Sequence, residues 1–166
     1  MDVTGSHTYA APIDDVLAIL GDPEATKAKY KGMGHRDIEV QECAEHDGLL
    51  HIRSSRVVDV ELPGFAKRFL KPTNTLVQSD EWRRSEDGIW DGRFDVEVHG
   101  SPMHLSGTMH LRPGDGVCTH DVDIAVAVKV PLVGGRIAEW AGKGEVRRTL
   151  DAEFAFNEAW LAAHHV

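Results

Sequence analysis

RIAEWAGKGEVRRTLDAEFAFNEAWLAA, residues 136–163, is the stretch from which the rest of the chain is best read. As a helix these residues, which include no proline, would span roughly 42 Å at 1.5 Å per residue. Ile137, Trp140, Ala141 and Gly144, then Leu150, Phe154, Asn157 and Leu161, recur at three- and four-residue steps. Glu139, Lys143, Arg147, Arg148, Asp151 and Glu158 fill the other side. One apolar stripe on one long helix is the prediction, and such a stripe must be covered. Gly134 and Gly135 separate this helix from the segment before it.

Upstream, residues 36–130 are punctuated for the sheet that would supply the cover. Asp47-Gly48, Asp87-Gly88 and Gly114-Asp115-Gly116 each separate two alternating runs, and His99-Gly100-Ser101-Pro102 separates another pair. Six consecutive antiparallel strands are predicted, at 36–45, 49–60, 73–85, 89–98, 103–112 and 117–130. Turn length sets the register. Pairing Val98 with Met103 puts Val96 opposite Leu105, Phe94 opposite Gly107 and Trp90 opposite Leu111. Pairing Arg112 with Val117 puts Gly107 opposite Val122, Leu105 opposite Ile124 and Met103 opposite Val126.

At the first hairpin, a two-residue Asp47-Gly48 turn would leave Ile38 and Val40 on the wrong face relative to Leu50 and Ile52. An odd-length loop with Gly48 in a positive-φ bulge is therefore expected. Ser54, Arg56, Val58 and Val60 then point inward. The 73–85 strand admits two phases: Leu76, Gln78, Asp80 and Trp82 inward, or Thr75, Val77, Ser79 and Glu81 inward.

The N-terminal part opens with an alternating strand, residues 3–9. Pro12 then stands near the start of a helix carrying Ile13, Val16, Leu17 and Leu20, and Gly21 ends it. Asp22 is an N-cap candidate for a second short helix with Pro23 at its first position. Residues 62–72 hold a helical turn or two bracketed by Pro63 and Pro72, with Phe65, Phe69 and Leu70 facing one way and Lys67, Arg68 and Lys71 the other. This segment reads either as a lid over a pocket or as a packed crossover.

Composition narrows the function classes. The chain has 166 residues, 42% of them hydrophobic, enough for one sizeable core and one domain, 1–166. A formal charge of −9 with no basic stripe argues against a nucleic-acid partner. No apolar run is long enough for an integral membrane segment, and the first residues lack the pattern of a secretory signal, so a cytoplasmic location is expected. Cys43 and Cys118 have no CxxC spacing and read as reduced structural thiols.

Taken together, this order of elements resembles the helix-grip fold of the START and polyketide-cyclase-like (SRPBCC) superfamily. The junction Val130-Pro131-Leu132-Val133-Gly134-Gly135, the Tyr9-Ala10-Ala11-Pro12 segment and the Trp82 strand look like an uncharacterised bacterial branch of it. The resemblance implies an α+β fold: seven curved antiparallel strands wrapped around the C-terminal helix, with two short helices between strands one and two. It also implies a cavity that in relatives holds lipids, sterols, polyketides or other greasy molecules, and no universal catalytic residue.

The residues point to a pocket on their own account, because Gly92, Gly107, Ala141 and Gly144 leave space opposite large side chains. The expected ligand-binding lining is Arg56, Trp90, Phe94, Met109, Val122, Ile124, Trp140 and Phe154, with Asp80 or Glu81 near it and Asn157 as a polar residue on the helix stripe. Arg56 is the foremost polar candidate, since an inward arginine must be paired or bind an anion. It reads as the holder of a carboxylate or phosphate head group, or as half of an ion pair with Asp80 or Glu81.

No metal site and no cofactor are expected. The ten histidines fall on separate strands, on outward positions such as His104 and His110, or at the C-terminal His164-His165, without HExxH or Cys/His spacing. No G-x-S-x-G is present, neither cysteine has a base near it in sequence, and no catalytic residue is assigned. A carrier of a hydrophobic small molecule (lipid, polyketide or isoprenoid-like) is the leading expectation. The alternatives are a cyclase, aromatase or dehydratase using the same cavity through an inward Asp, Tyr9 or Arg56, and a protein-interaction module with a vestigial cavity. The sequence names no protein partner.

Overall fold

A computed structural model describes residues 1–164. The elements are β1 (Asp2–Tyr9), α1 (Ile13–Leu20), α2 (Pro23–Gly32), β2 (Arg36–His46), β3 (Leu49–Asp59), β4 (Thr73–Arg84), β5 (Trp90–Val98), β6 (Met103–Pro113) and β7 (Cys118–Val128). A C-terminal rod follows, built of α3 (Gly134–Ala141), a π-helical segment (Gly142–Val146) and α4 (Arg147–His164). The sheet is antiparallel throughout, in the order β1-β7-β6-β5-β4-β3-β2. This is the helix-grip arrangement that the resemblance implied. His165 lies outside the described residues.

Local chemistry accounts for the short helices. Asp22 caps α2 by accepting from the Glu24 backbone N–H at 3.0 Å, Pro23 opens it, and Lys29 and Lys31 sit in its last turn where the dipole favours cations. Pro12 sits at the N-cap of α1, just outside the helix.

The β5–β6 pairing joins Trp90 to Leu111, Phe94 to Gly107 and Val96 to Leu105, as turn length predicts. The β6–β7 pairing departs from expectation by two residues. Leu105 meets Val126, Gly107 meets Ile124 and Met109 meets Val122, because the turn keeps four residues free between Pro113 and Cys118. An even slip preserves the inward face, so Val122, Ile124 and Val126 stay buried.

The first hairpin is also corrected. His46 pairs with Leu49, so the turn has two residues, with both Asp47 and Gly48 at positive φ as a primed turn requires. The extra residue needed to bring Ile38 and Val40 onto the inner face sits instead in β2, where the register slips between Val40 and Glu42. A second irregularity lies between Arg36 and Glu39, where Asp37 has φ 52°. In β4, Leu76, Gln78, Asp80 and Trp82 point inward, opposite Arg56, Ser54, Ile52 and Leu50.

The rod's buried stripe is Ile137, Ala138, Ala141, Gly142, Val146, Leu150, Phe154, Asn157 and Leu161. Its step from Ala141 to Val146 is five residues. That is what a π-turn does: one added residue rotates the following helix and re-phases its face. Gly144, expected on the stripe, is therefore only half-buried, and a Cβ there would meet nothing within 4 Å. Gly142 takes the close approach, with Met1 and Val3 packed where its side chain would be. Gly5 does the same for Leu150 and Phe154, which lets the rod lie on β1.

Between β3 and β4, residues 62–72 form a turn that buries Ala66 and Leu70 against Ile137. The Arg136 guanidinium lies 4.0 Å from the Phe65 ring centre. Ahead of α3, Leu132 is fully exposed at φ 70°. No helix of the described residues is long and apolar enough to cross a membrane.

Candidate functional site

Between the concave face of the sheet and the rod lies a cavity of about 190 Å³. Val96 and Val98 from β5, Met109 from β6, Val122 and Ile124 from β7, and Trp140 and Leu150 from the rod give it mostly apolar walls. The π-segment contributes Glu145 and Val146, and the β3–β4 crossover contributes Leu62, Leu70 and Lys71 at the rim. Cavities of this size persist only where shape forbids collapse, and an apolar void near 150 Å³ holds one aromatic ring.

Of the residues expected in the lining, Arg56, Asp80, Phe94, Met109, Val122, Ile124, Trp140 and Asn157 stand on the wall. Trp90 and Phe154 do not. Trp82 lies across Gly92, where a Cβ would come within 2.7 Å of its ring, and Trp90, the first residue of β5, is buried in the core. The Phe154 ring is taken up by aromatic neighbours, stacked on His7 at 5.4 Å and edge-on to His120 at 5.4 Å. The space expected over Gly92 and Gly107 is likewise filled, by Trp82 and by the Phe94 ring respectively. What remains open borders Ala141 and the π-turn.

Two polar groupings interrupt the apolar wall. In the first, Arg56 is 5% exposed, its Nε donates to His35 Nδ1 at 3.2 Å and its guanidinium stacks 3.9 Å from the Tyr30 ring centre. Burial, with Arg56 second, pulls His35 down to about 4, so its ring is a neutral acceptor. Asp80 accepts from Gln78 Nε2 at 2.9 Å; burial raises its carboxyl above the usual range despite that bond. Lys29 pairs with Glu153 at 3.6 Å; burial alone would lower its ammonium, and Glu153 holds it above its ordinary value. Neither anticipated partner neutralises Arg56. Asp80 is engaged by Gln78, and Glu81 points away to Arg93 at 3.2 Å. Among the described residues Arg56 has no carboxylate within ion-pair reach, and its buried Nη1 has no hydrogen-bond partner.

The second grouping is Tyr9, His120 and Asn157, all buried. Asn157 Nδ2 donates to the Tyr9 hydroxyl at 3.0 Å, and that hydroxyl lies 3.2 Å from His120 Nδ1. Burial lowers His120 to about 4 and raises the Tyr9 phenol, so both are neutral at pH 7. Among the described residues, His120 Nε2 and Asn157 Oδ1 are buried without partners. Sequence reasoning passed over His120, although the alternation that turns Val122, Ile124 and Val126 inward turns His120 inward too. Lys29, His35 and Glu153 carried no comparable signal. Both cysteines are free thiols; Cys118 is fully buried and pushed up to about 11 by burial.

The chain belongs to the family described as "Protein of unknown function (DUF2505)", whose model matches residues 4–161. No curated protein matches it significantly. Among solved structures it is similar to TTHA0849 from Thermus thermophilus, with 18% identity, all of both chains covered and a TM-score of 0.69. Ara h 8.0201 is similar at 13% identity over 99% of each chain, TM-score 0.59. Norcoclaurine synthase from Thalictrum flavum, solved with dopamine and hydroxybenzaldehyde, is similar at 14% identity over all of this chain and 88% of that one, TM-score 0.56. At these identities the likeness establishes the fold, a START-type helix-grip.

Proposed function

We propose that this protein binds a small, mostly apolar molecule in the hollow between sheet and rod and carries it without transforming it. The observation that carries the reading is a hollow of about 190 Å³ with mostly apolar walls, on which the buried Arg56 stands with no carboxylate in ion-pair reach among the described residues. Such a cation suits a carboxylate or phosphate head. The volume suits a short acyl chain, a one-ring compound or a compact isoprenoid-like unit better than an entire sterol.

The test is native mass spectrometry of protein purified without detergent, followed by titration with octanoate monitored by tryptophan fluorescence. A retained mass or saturable binding is expected, with R56L weakening octanoate roughly tenfold or more while keeping the wild-type circular dichroism. Equal affinity in the variant removes the head-group assignment, and a cavity that takes up nothing removes the carrier reading.

A second reading, an acid–base enzyme of the cyclase or dehydratase kind, is supported by Asp80. Its carboxyl stands on the cavity wall and burial shifts it upward, which is how a carboxylic acid becomes a proton donor nearer neutral pH. Conversion of a retained compound on incubation, abolished in D80N, would favour it over carriage.

A further inference from the structure

Three segments that are far apart in the chain meet at one corner of the molecule: the β3–β4 crossover at 62–72, the β5–β6 turn at 99–102, and the stretch at 129–137 that leads from β7 into α3. Ala66 and Leu70 of the first pack on Ile137 of the third, and the Arg136 guanidinium lies over the Phe65 ring. The Lys129 backbone N–H donates to the Pro102 carbonyl at 3.0 Å, which ties the third segment to the turn. A Cβ on Gly100 would lie 3.7 Å from Lys71 Nζ, so the turn also meets the crossover. Leu62, Leu70, Lys71 and Ser101 line the cavity, which makes this corner part of its rim.

The corner has one sign of charge. Its segments carry Lys67, Arg68, Lys71, Lys129 and Arg136, all exposed, and neither Asp nor Glu. Elsewhere cations are matched with carboxylates, as Lys29 is with Glu153, Arg36 with Asp59 and Arg112 with Asp121. None of the corner's cations forms an ion pair among the described residues. Glu61 stands just ahead of the crossover, and Glu139, past Arg136, is taken by Lys143. In a chain of formal charge −9 folding gains nothing from gathering like charges, which repel one another.

The same corner presents an apolar side chain to water. Leu132 is fully exposed at φ 70°, a left-handed conformation that is sterically costly for a leucine, and Phe65 and Phe69 are partly exposed nearby in the crossover. Cations set among exposed apolar groups complement a bilayer that contains anionic lipid: head groups receive the lysines and arginines, and the boundary beneath them receives the leucine. A nucleic acid offers the leucine nothing. Preferring a bilayer to an acidic protein rests on the cavity reading above, because a mostly apolar cargo accumulates in membranes and this corner borders the cavity.

We propose that this corner docks the protein on an anionic membrane surface, with Leu132 entering the head-group layer and the cavity rim held against the bilayer that supplies or receives the cargo. Salt limits the reach of the net negative charge to about 8 Å, so the sign of the corner governs contact.

The test is co-sedimentation with vesicles of phosphatidylcholine alone and of phosphatidylcholine mixed with phosphatidylglycerol. The mixed vesicles should bind roughly tenfold or more tightly than the neutral ones, and high salt should weaken that binding. K67A and R68A should each cost roughly fivefold and L132G roughly fivefold or more, whereas R84A, an exposed arginine at the end of β4, should change nothing. Circular dichroism checks that the variants fold, and the lipid and salt dependence of the wild type decides the matter if one does not. Equal retention by the two kinds of vesicle, or a loss in R84A as large as in the corner variants, overturns the docking surface. Capture by polyglutamate or double-stranded DNA without capture by the mixed vesicles overturns it in favour of an acidic macromolecule. Octanoate binding without vesicle binding removes the docking surface alone, and vesicle binding without octanoate uptake supports the docking surface while removing the carrier reading.

Discussion

Replacing His120 by phenylalanine should flatten the acid side of the stability profile. In the folded protein His120 titrates at about 4 because burial disfavours its charged form, whereas in the unfolded chain it titrates near 6.5. A depressed folded pKa means that the unfolded state binds the proton first. The stabilisation is therefore fully present above about pH 6.5 and is lost as pH falls through about 4. At about 1.4 kcal/mol per pH unit, a gap of about two and a half units amounts to about 3 kcal/mol, and most of it is gone by about pH 4.5. His35, lowered to about 4, acts in the same direction, as do Asp59 and Asp121, whose carboxyls are held below their usual range by hydrogen bonds led by Arg36 and Ser6 respectively. All of these remain in the variant, so the difference between the two proteins isolates His120. Urea unfolding followed by tryptophan fluorescence at about pH 7 and about pH 4.5 should show wild type losing roughly 2–3 kcal/mol more than H120F over that interval. At neutral pH the variant should itself be weaker by about 1–3 kcal/mol, because the Tyr9 proton is left buried without its acceptor. Parallel pH profiles for the two proteins would refute the reasoning, since they would mean that the imidazole reaches solvent or a counter-charge in the folded state.

Two further predictions test the packing. Gly107→Ala puts a Cβ against the Asp123 carbonyl oxygen and the Phe94 ring, where neighbouring strand backbone cannot yield, and should cost about 1–3 kcal/mol in urea unfolding. Gly144→Ala meets nothing within 4 Å and should be neutral or stabilising by up to about 1 kcal/mol; the opposite ranking would mean that the rod sits differently on the sheet. Leu132→Gly relieves a left-handed conformation at φ 70° in a side chain that is fully exposed. It should raise stability by about 0.5–1 kcal/mol after the added freedom of glycine in the unfolded chain is deducted, read as a higher thermal midpoint, and a lower midpoint would show that the leucine is held by a contact.

The sequence by itself determined the rod, the number and direction of the strands and the inward phase of most of them. Those features follow from periods of 3.6 and 2 and from turn residues, which act over a few neighbouring positions. Arg56, Asp80 and Asn157 were placed on the cavity side by the same reasoning. Tertiary structure alone decided where extra residues would be absorbed. The parity of Ile38 and Val40 against Leu50 required one more residue, and both a wider turn and a bulge in β2 satisfy that local condition; packing of the whole sheet selects the bulge. The π-turn at Gly142–Val146 is similar, since only the fit of the rod onto Met1 and Val3 rewards re-phasing the helix there.

Tertiary structure also decided which glycines are filled. Trp82 and Phe94 reach Gly92 and Gly107 across neighbouring strands, and a large side chain's destination depends on space created by residues far away in the chain. The polar wall was the least legible for the same reason. Tyr9, His120 and Asn157 meet across 111 and 148 residues of sequence, and Lys29 reaches Glu153 from another helix. Each of these side chains is ordinary in its own segment, and its chemistry comes from burial beside the others, a property of the closed fold that no local pattern carries.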